Sequence, residues 1–246
     1  MQILLSSEKQ KRDEILHSGE ITRFFLPNLT KTYHLNFYGG EPLLSFDLIK
    51  KAVSLLSAQN KEFKKKARYS LTTNGSLLRE ETIQFLHKHK FSVELSFDGL
   101  AQDILRKKGS SKKIVSVIQE LFNFPNIHLE INSVYTPITV DLFSDSMRFI
   151  MALGVPNIHF SLSIIDPWDE ISLGKLEKEL IKLGKIVLTR YKKKGDISIT
   201  NFKDFGKKGI FYCAAGSNRL AITPSGNIWG CYLFADYFKG KENLPE

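Results

Sequence analysis

Cysteine is scarce in this sequence, which has only two among its 246 residues, and no apolar run approaches the length of a membrane span. Two distant cysteines, with no secretion signal after Met1, do not form a disulfide framework. A reducing cytoplasm is therefore the expected location, and no membrane partner is expected. Apolar residues make up 42% of the chain, enough for one large domain or for one domain with an appendage.

Acidic residues are outnumbered by basic ones, and the formal net charge is +9. The basic residues gather in short clusters between the apolar runs, at 61–68, 87–90, 106–113 and 190–195. Such clusters bind nucleic acid in some proteins, but no known nucleic-acid-reading motif accompanies them here. We interpret them as solvated helix faces and turns, and nucleic acid is not the expected partner.

Apolar segments alternate with helix-forming stretches along most of the chain, after a polar, helix-capable segment at 6–25. The predicted strands cover residues 34–38, 68–73, 91–97, 127–134 and 157–164, and the predicted helices cover 43–56, 77–89, 113–122, 141–153 and 172–191. Alternating strands and helices of this kind form parallel sheets. The pattern predicts an α/β fold, either a partial barrel or an open doubly wound sheet.

The C-terminal part of the chain has a different character. Two short apolar runs flank the turn residues Pro224, Ser225, Gly226 and Asn227, which predicts a β-hairpin over 218–234. We therefore predict two domains, a set of βα units at 1–199 and a small module at 200–246.

Polar side chains follow the predicted strands at their C-terminal ends. Ligands of parallel α/β folds bind at this edge, so we expect these groups to converge on one cavity for a small polar molecule with amine and carboxylate groups. Each group also has an ordinary explanation, since Asn74-Gly75 and Asp98-Gly99 are common turn dipeptides. The residues are Gly39, Gly40, Glu41, Thr73, Asn74, Ser96, Asp98 and Asn132.

Three segments in order, YGGEPLL, LTTNGSLL and VELSFDG, resemble the core of the radical S-adenosylmethionine (radical SAM) enzymes, and most closely the branch of anaerobic sulfatase maturases and peptide-modifying maturases. The resemblance covers about residues 33–164 and implies a partial (β/α)6 barrel. In that family the GGEP segment holds the amino group of S-adenosylmethionine, and a serine and a later arginine approach its ribose and carboxylate. The resemblance thus implies cofactor contacts by Gly39, Gly40, Glu41, Pro42, Ser96 and Arg106. Together with the strand-end residues Thr73, Asn74, Asp98 and Asn132, they form the predicted cofactor site.

The two cysteines resemble the opening of the SPASM module, which holds an auxiliary iron–sulfur cluster. The pattern is Cys213, a glycine turn at Gly226, and Cys231. This resemblance implies that both cysteines are metal ligands, and thiolates are the usual ligands of such clusters. The alternative is a pair of buried structural cysteines in the hairpin core.

The sequence departs from the family at both ends. The family holds its catalytic four-iron four-sulfur cluster with a Cys-x-x-x-Cys-x-x-Cys loop after the first strand, and here no cysteine precedes Cys213. The later SPASM cysteines are also missing. We therefore expect the first βα unit to be absent and the next strand to be an open edge. A fragment and a degenerate homologue both fit these departures.

The resemblance implies part of a radical SAM/SPASM maturase that reductively cleaves S-adenosylmethionine to a deoxyadenosyl radical and modifies a peptide or protein side chain. Without the catalytic cysteines, this chain alone is expected to be inactive. The alternative is a non-catalytic barrel that binds S-adenosylmethionine or a peptide. We expect Glu41→Ala to weaken S-adenosylmethionine binding and Lys65→Ala to leave it unchanged.

Overall fold

A computed structural model describes residues 2–5, 26–203, 220–223 and 227–231 of the chain. The chain divides into a first unit, residues 1–73, 88–91 and 209–246, and a second unit, residues 74–87 and 92–208. The strands are β1 (Gln2–Leu5), β2 (Thr32–Gly39), β3 (Lys66–Thr73), β4 (Ser92–Ser96), β5 (His128–Tyr135), β6 (Asn157–Leu162), β7 (Ala221–Ile222) and β8 (Ile228–Trp229). The helices are α1 (Phe46–Glu62), α2 (Glu80–Lys88), α3 (Gln102–Leu105), α4 (Ser110–Leu121), α5 (Phe143–Ala152) and α6 (Glu170–Lys194).

The first unit is built on strands in the order β3-β2-β1-β7-β8. β1 pairs in parallel with β2 and with β7, β2 pairs in parallel with β3, and β7 and β8 are antiparallel. Along β2 the apolar residues Tyr33, Leu35 and Phe37 are buried, as expected for the covered face of a strand. The Tyr33 hydroxyl donates to Asn60 Oδ1 of α1 at 3.0 Å, which fixes the helix on this face.

The second unit contains the parallel strands β4, β5 and β6, with β5 between the other two. Tyr135 at the end of β5 packs edge-on against Phe143 of α5, with ring centroids 4.8 Å apart. Glu179 of α6 accepts hydrogen bonds from the amide (2.9 Å) and the hydroxyl of Ser144. A carboxylate at this position satisfies a free N–H at the start of α5. It also joins α5 to α6.

The predicted α/β class is confirmed. β2 to β6 correspond to the predicted strands, and every pairing given above among them is parallel. The helices differ from the predicted bounds by a few residues at their ends. α1 begins three residues later than predicted, because Pro42–Ser45 forms a 3-10 helix that Glu41 caps, and the largest change is at its end, which lies six residues later than predicted, at Glu62.

The edge of β2 differs from the prediction. We expected an open edge, because the first βα unit was predicted to be absent. Instead β1 lies parallel to β2, with Gln2 opposite Asn36 and Leu5 opposite Gly39. The backbone of β1 therefore pairs with the strand that precedes the glycine turn. The following segment begins with Ser6 and Ser7.

The described part of the C-terminal segment contains the predicted hairpin, shortened to the two-residue strands β7 and β8. Thr223 N donates to Asn227 O at 3.0 Å, and Asn227 N donates to Thr223 Oγ1 at 3.1 Å. The turn residues 224–226 lie outside the described residues. The domain boundary at residue 200 stays a prediction. Across the described part of the chain, no helix has the length and apolar character needed to cross a membrane.

Candidate cofactor site

The turn after β2 contains two glycines with different roles. Gly39 has a φ of 150°, a backbone conformation that residues other than glycine rarely adopt. Gly40 has no heavy atom within 4 Å of the position where a Cβ would lie. Packing therefore does not require glycine at residue 40. The open space beside its backbone leaves room for a ligand to approach closely.

Glu41 is directed towards the end of the neighbouring strand. Its Oε1 atom accepts hydrogen bonds from Leu43 N at 3.1 Å and from Thr73 Oγ1 at 2.8 Å. Thr73 is the last residue of β3 and is only 2% exposed. The carboxylate is thus held at the C-terminal ends of β2 and β3, as the cofactor prediction requires, and does not point outward on the helix side. Pro42, the first residue of the capped 3-10 helix, is buried.

Asn74 takes part in a turn. Its Oδ1 atom accepts from Ser76 N at 2.8 Å, which is an Asx-turn. Gly75 follows with a φ of 76°, and a Cβ there would lie 2.6 Å from Leu95 Cδ1. This geometry supports the turn interpretation of Asn74-Gly75. A contact between Asn74 and the cofactor stays a prediction.

Asp98 is buried and bound within the protein. Its side chain is 1% exposed, and its two oxygens accept from Arg106 Nε at 2.5 Å and from Val134 N at 2.9 Å. Its own backbone N–H donates to Gln102 Oε1 at 3.0 Å. Asp98 therefore links the loop after β4 to α3 and to β5.

The rest of this loop is fixed against α5. Gly99 has a φ of 62°, and a Cβ there would lie 2.7 Å from Ser146 Cβ. Leu100 N donates to Ser146 Oγ at 3.1 Å. Glycine is required at residue 99 both for its conformation and for the close approach of α5. The end of the serine-x-aspartate-glycine segment is therefore packed directly against α5.

Asn132 lies beside Ser96 across the β4–β5 ladder. Its Nδ2 donates to Glu94 Oε1 at 3.1 Å, whereas its Oδ1 is buried without a hydrogen-bond partner among the described residues. A buried acceptor without a donor is costly, so this oxygen is suited to a ligand N–H or O–H. Asn132 and Ser96 are thus brought together at one edge of the second unit.

Two glutamates that the sequence interpretation missed lie on the same part of the sheet. Glu94 and Glu130 are directly opposite each other in the β4–β5 ladder. Burial raises the pKa of Glu130, and the charge of Glu94 raises it further, while His159 and Lys203 act in the opposite direction. The sequence signal was a charged residue two positions before Ser96 and two before Asn132, since alternate residues share a face of a strand.

Of the two cysteines predicted to bind metal, the structure describes only Cys231. Cys231 follows β8 and is a free, partly exposed thiol, and Cys213 lies outside the described residues. Within the residues that the structure describes, no group of three or more histidine, cysteine, aspartate or glutamate side chains could hold a metal ion. Metal binding by Cys213 and Cys231 stays a prediction.

A family comparison decides the assignment. The profile of the Radical SAM superfamily matches residues 20–150, which include the glycine turn, Thr73, the loop after β4 and Asn132. The chain belongs to the radical SAM superfamily. Among curated relatives, it is 26% identical over 224 residues to the radical SAM cyclopropyl synthase TigE of Paramaledivibacter caminithermalis, covering 87% of this chain and 47% of that protein. It is also 26% identical over 234 residues to the uncharacterized protein MJ0907 of Methanocaldococcus jannaschii, covering 92% of this chain and 78% of that protein.

Solved structures share the fold. Native anSMEcpe with bound S-adenosylmethionine has a TM-score of 0.75 at 22% identity, covering 92% of this chain and 66% of that one. Streptococcus suis SuiB bound to its precursor peptide SuiA has a TM-score of 0.62 at 15% identity, covering 100% of this chain and 61% of that one. The radical SAM chain described here thus spans about half of the cyclopropyl synthase and under two thirds of these enzymes.

The residues present fit one of the family's two cofactors. S-adenosylmethionine carries an ammonium, a carboxylate and ribose hydroxyls. In the first unit, taken by itself, the Glu41 carboxylate is suited to an ammonium. In the second unit, taken by itself, the Arg106 guanidinium is suited to a carboxylate and the buried Asn132 oxygen to a hydroxyl. The catalytic iron–sulfur cluster does not fit. It needs three closely spaced thiolates, whereas the sequence has two cysteines, separated by 17 residues.

Proposed function

We propose that this chain is the S-adenosylmethionine-binding part of a radical SAM maturase that acts on a peptide or protein side chain. The observation that carries the proposal is Glu41, whose carboxylate is held by Thr73 and Leu43 N within the GGEP motif. An ionised carboxylate binds an ammonium through a charge-assisted hydrogen bond, which is stronger than a neutral one. Glu41 binds the amino group of the cofactor.

The other cofactor contacts follow the family assignment. Arg106 binds the carboxylate of S-adenosylmethionine, and Ser96 and Asn132 lie beside the ribose. Gly39, Gly40 and Pro42 shape the turn around the amino group. The chain's own residues bind and orient the cofactor, and the radical chemistry that the family draws from it requires a reduced iron–sulfur cluster.

A peptide or protein substrate is supported by the similar proteins. The structure of anSMEcpe has been solved with the Cp18Cys peptide, with a TM-score of 0.75 and 21% identity, and SuiB with its precursor peptide. Both share the fold described above. We propose a substrate of the same class for the protein to which this chain contributes.

The chain alone does not cleave S-adenosylmethionine, because it lacks the ligands for the catalytic cluster. No cysteine occurs between Met1 and Phe211, so three thiolates cannot be gathered after β1. Cys213 and Cys231 are proposed as two ligands of an auxiliary SPASM cluster. A cluster with two protein thiolates is incompletely ligated and labile.

A non-catalytic S-adenosylmethionine-binding or peptide-binding barrel is the second candidate, and β1 is the observation that favours it. The strand pairs in parallel with β2, at the place that the family's first strand takes, and Ser6 and Ser7 follow it where the family has its cysteine loop. The cofactor-binding edge would then persist without its cluster.

Calorimetric titration with S-adenosylmethionine tests the binding proposal. Glu41→Ala is expected to lower the affinity by about tenfold, the value of one lost charge-assisted hydrogen bond. Glu62→Ala, which removes the same charge from the exposed end of α1, is the matched control and should bind like the wild type. Equal affinities of the Glu41→Ala and wild-type proteins would remove Glu41 from the site.

The expectation that Lys65→Ala leaves binding unchanged stays a prediction, but the substitution is a poor control because it alters the fold. Lys65 Nζ donates to Pro27 O at 3.2 Å and to Leu29 O. These bonds fasten the turn before β2 to the turn before β3. The substitution would release both carbonyls, so a change in binding could not be separated from a change in the fold.

A further inference from the structure

The contacts of Asp98 leave no room for a direct role in binding the cofactor. Its side chain is 1% exposed, and both of its carboxylate oxygens are occupied, one by Arg106 Nε and the other by Val134 N. A buried carboxylate of this kind is stable only when it is paired and hydrogen-bonded. The sequence interpretation had placed Asp98 among the cofactor ligands, and the structure gives it a different set of partners.

The guanidinium of Arg106 is anchored through its Nε atom. Its Nε donates to Asp98 Oδ2 at 2.5 Å, and the side chain as a whole is 32% exposed. The terminal nitrogens Nη1 and Nη2 make no hydrogen bond to the residues that the structure describes. A guanidinium anchored through Nε can turn its two terminal nitrogens towards a carboxylate and bind it in a bidentate manner.

The backbone supports the same arrangement. Asp98 N donates to the Gln102 side chain, and Arg106 N donates to Gln102 O at 2.9 Å. Gln102 is 2% exposed, and its Nε2 donates to Ser110 Oγ at 3.1 Å. Asp98, Gln102 and Arg106 thus form a closed set of contacts across α3. The position of the guanidinium is fixed from both its main chain and its side chain.

We infer that Asp98 is a positioning residue, which acts on S-adenosylmethionine only through Arg106. The inference rests on the proposed function, because it assumes that Arg106 binds the carboxylate of the cofactor. It adds that the buried Asp98 sets the direction of the guanidinium and does not contact the ribose. Asp98 therefore governs recognition of the carboxylate and leaves recognition of the nucleoside unaffected.

Two ligands separate this role from direct contact. S-adenosylmethionine has the carboxylate, whereas 5′-methylthioadenosine keeps the adenosine and lacks both the carboxylate and the ammonium. In Asp98→Asn, the negative charge is lost and one of the two accepting oxygens becomes an NH2 group, which opposes the N–H of either Arg106 Nε or Val134, so the guanidinium is held less firmly. Affinity for S-adenosylmethionine is expected to fall by about tenfold to a hundredfold, while affinity for 5′-methylthioadenosine stays within about twofold.

Variants of Arg106 provide the second arm, because a substitution at a partly exposed position is less damaging to the fold. Arg106→Gln is expected to show the same selective loss of affinity for S-adenosylmethionine. The double variant, with both Asp98→Asn and Arg106→Gln, should lose no more affinity than either single variant. Arg106→Lys keeps the positive charge but lacks the two terminal nitrogens that bind a carboxylate in a bidentate manner, so its affinity for S-adenosylmethionine should stay below that of the wild type. Lys107→Gln, which removes one charge from the neighbouring exposed residue, is the matched control and should bind both ligands like the wild type.

The outcomes are distinct. If Asp98→Asn, or Arg106→Gln where the first variant does not fold, weakens both ligands equally, the positioning role is wrong. Independent, additive losses from the two substitutions would also contradict it. If the wild type binds neither ligand, the proposed function fails instead.

Discussion

Thr73 Oγ1 lies 2.8 Å from Glu41 Oε1, so the last residue of β3 orients the carboxylate that follows β2. Leu43 N donates to the same oxygen at 3.1 Å. A carboxylate held by two donors loses little conformational freedom when it binds a ligand. The glycine turn and the end of the next strand therefore act together, although Glu41 and Thr73 are 32 positions apart in the chain.

Thr73→Val should weaken S-adenosylmethionine binding while keeping the shape of the buried side chain. The substitution removes one hydrogen bond, worth about 1 kcal/mol, and frees the Glu41 carboxylate, so the expected loss in affinity is about fivefold. Calorimetric titration measures it. Thr72→Val, one residue earlier in β3, is the control. Unchanged affinity in Thr73→Val would show that Glu41 needs no support from β3.

Gly75→Ala and Gly109→Ala should differ in their effect on stability. Both glycines have a positive φ, 76° and 80°, so alanine costs about 1 kcal/mol of backbone strain at each. At Gly75 the new Cβ would also lie 2.6 Å from Leu95 Cδ1 and 3.1 Å from Ile114 Cδ1, and both side chains are buried. Overpacking adds about 1–3 kcal/mol there, whereas Gly109 has open space. Urea denaturation measures the free energy of unfolding of both variants. Equal losses of stability would contradict the close packing of Leu95 and Ile114 around Gly75.

Glu130→Gln should stabilise the protein at neutral pH. Because burial and the charge of Glu94 raise the pKa of Glu130, the folded protein binds this proton more tightly than the unfolded chain does. The free energy of unfolding therefore falls as pH rises from the ordinary glutamate pKa, about 4.3, through the raised value. Glutamine does not ionise, so the variant avoids this fall in the free energy of unfolding.

Denaturation at two pH values checks the sign. Glu130→Gln should exceed the wild type in stability at about pH 7, and the advantage should disappear below about pH 4, where the wild-type carboxyl is protonated in both states. Glu120→Gln, on the exposed face of α4, is the control. A variant less stable than the wild type at neutral pH would show that the charged Glu130 is stabilising.

The sequence predicted the parts of the fold that depend on local pattern. The buried alternation of Tyr33, Leu35 and Phe37 places β2, and the glycine turn after it marks the strand end. β1 was missed because a four-residue apolar segment gives no periodic signal, and its pairing with β2 joins residues 34 positions apart. The open edge expected beside β2 was wrong for that reason.

The site was predicted unevenly. The direction of Glu41 agrees with the motif, and its hydrogen bonds from Leu43 N and Thr73 Oγ1 fix that direction. The partners of Asp98, Arg106 and Val134 N, could not be predicted, since they are set by tertiary structure and the dipeptide Asp98-Gly99 is common in turns. The opposition of Glu94 and Glu130 depends on strand register, which single-strand patterns do not give.

We propose that this radical SAM chain keeps the S-adenosylmethionine-binding edge without ligands for the catalytic cluster. The most direct measurement is 5′-deoxyadenosine formed by the purified chain under anaerobic conditions with iron, sulfide, dithionite and S-adenosylmethionine. Two cysteines cannot supply three clustered thiolates, so we predict no 5′-deoxyadenosine above the protein-free control. Sustained production by these 246 residues alone would contradict the account.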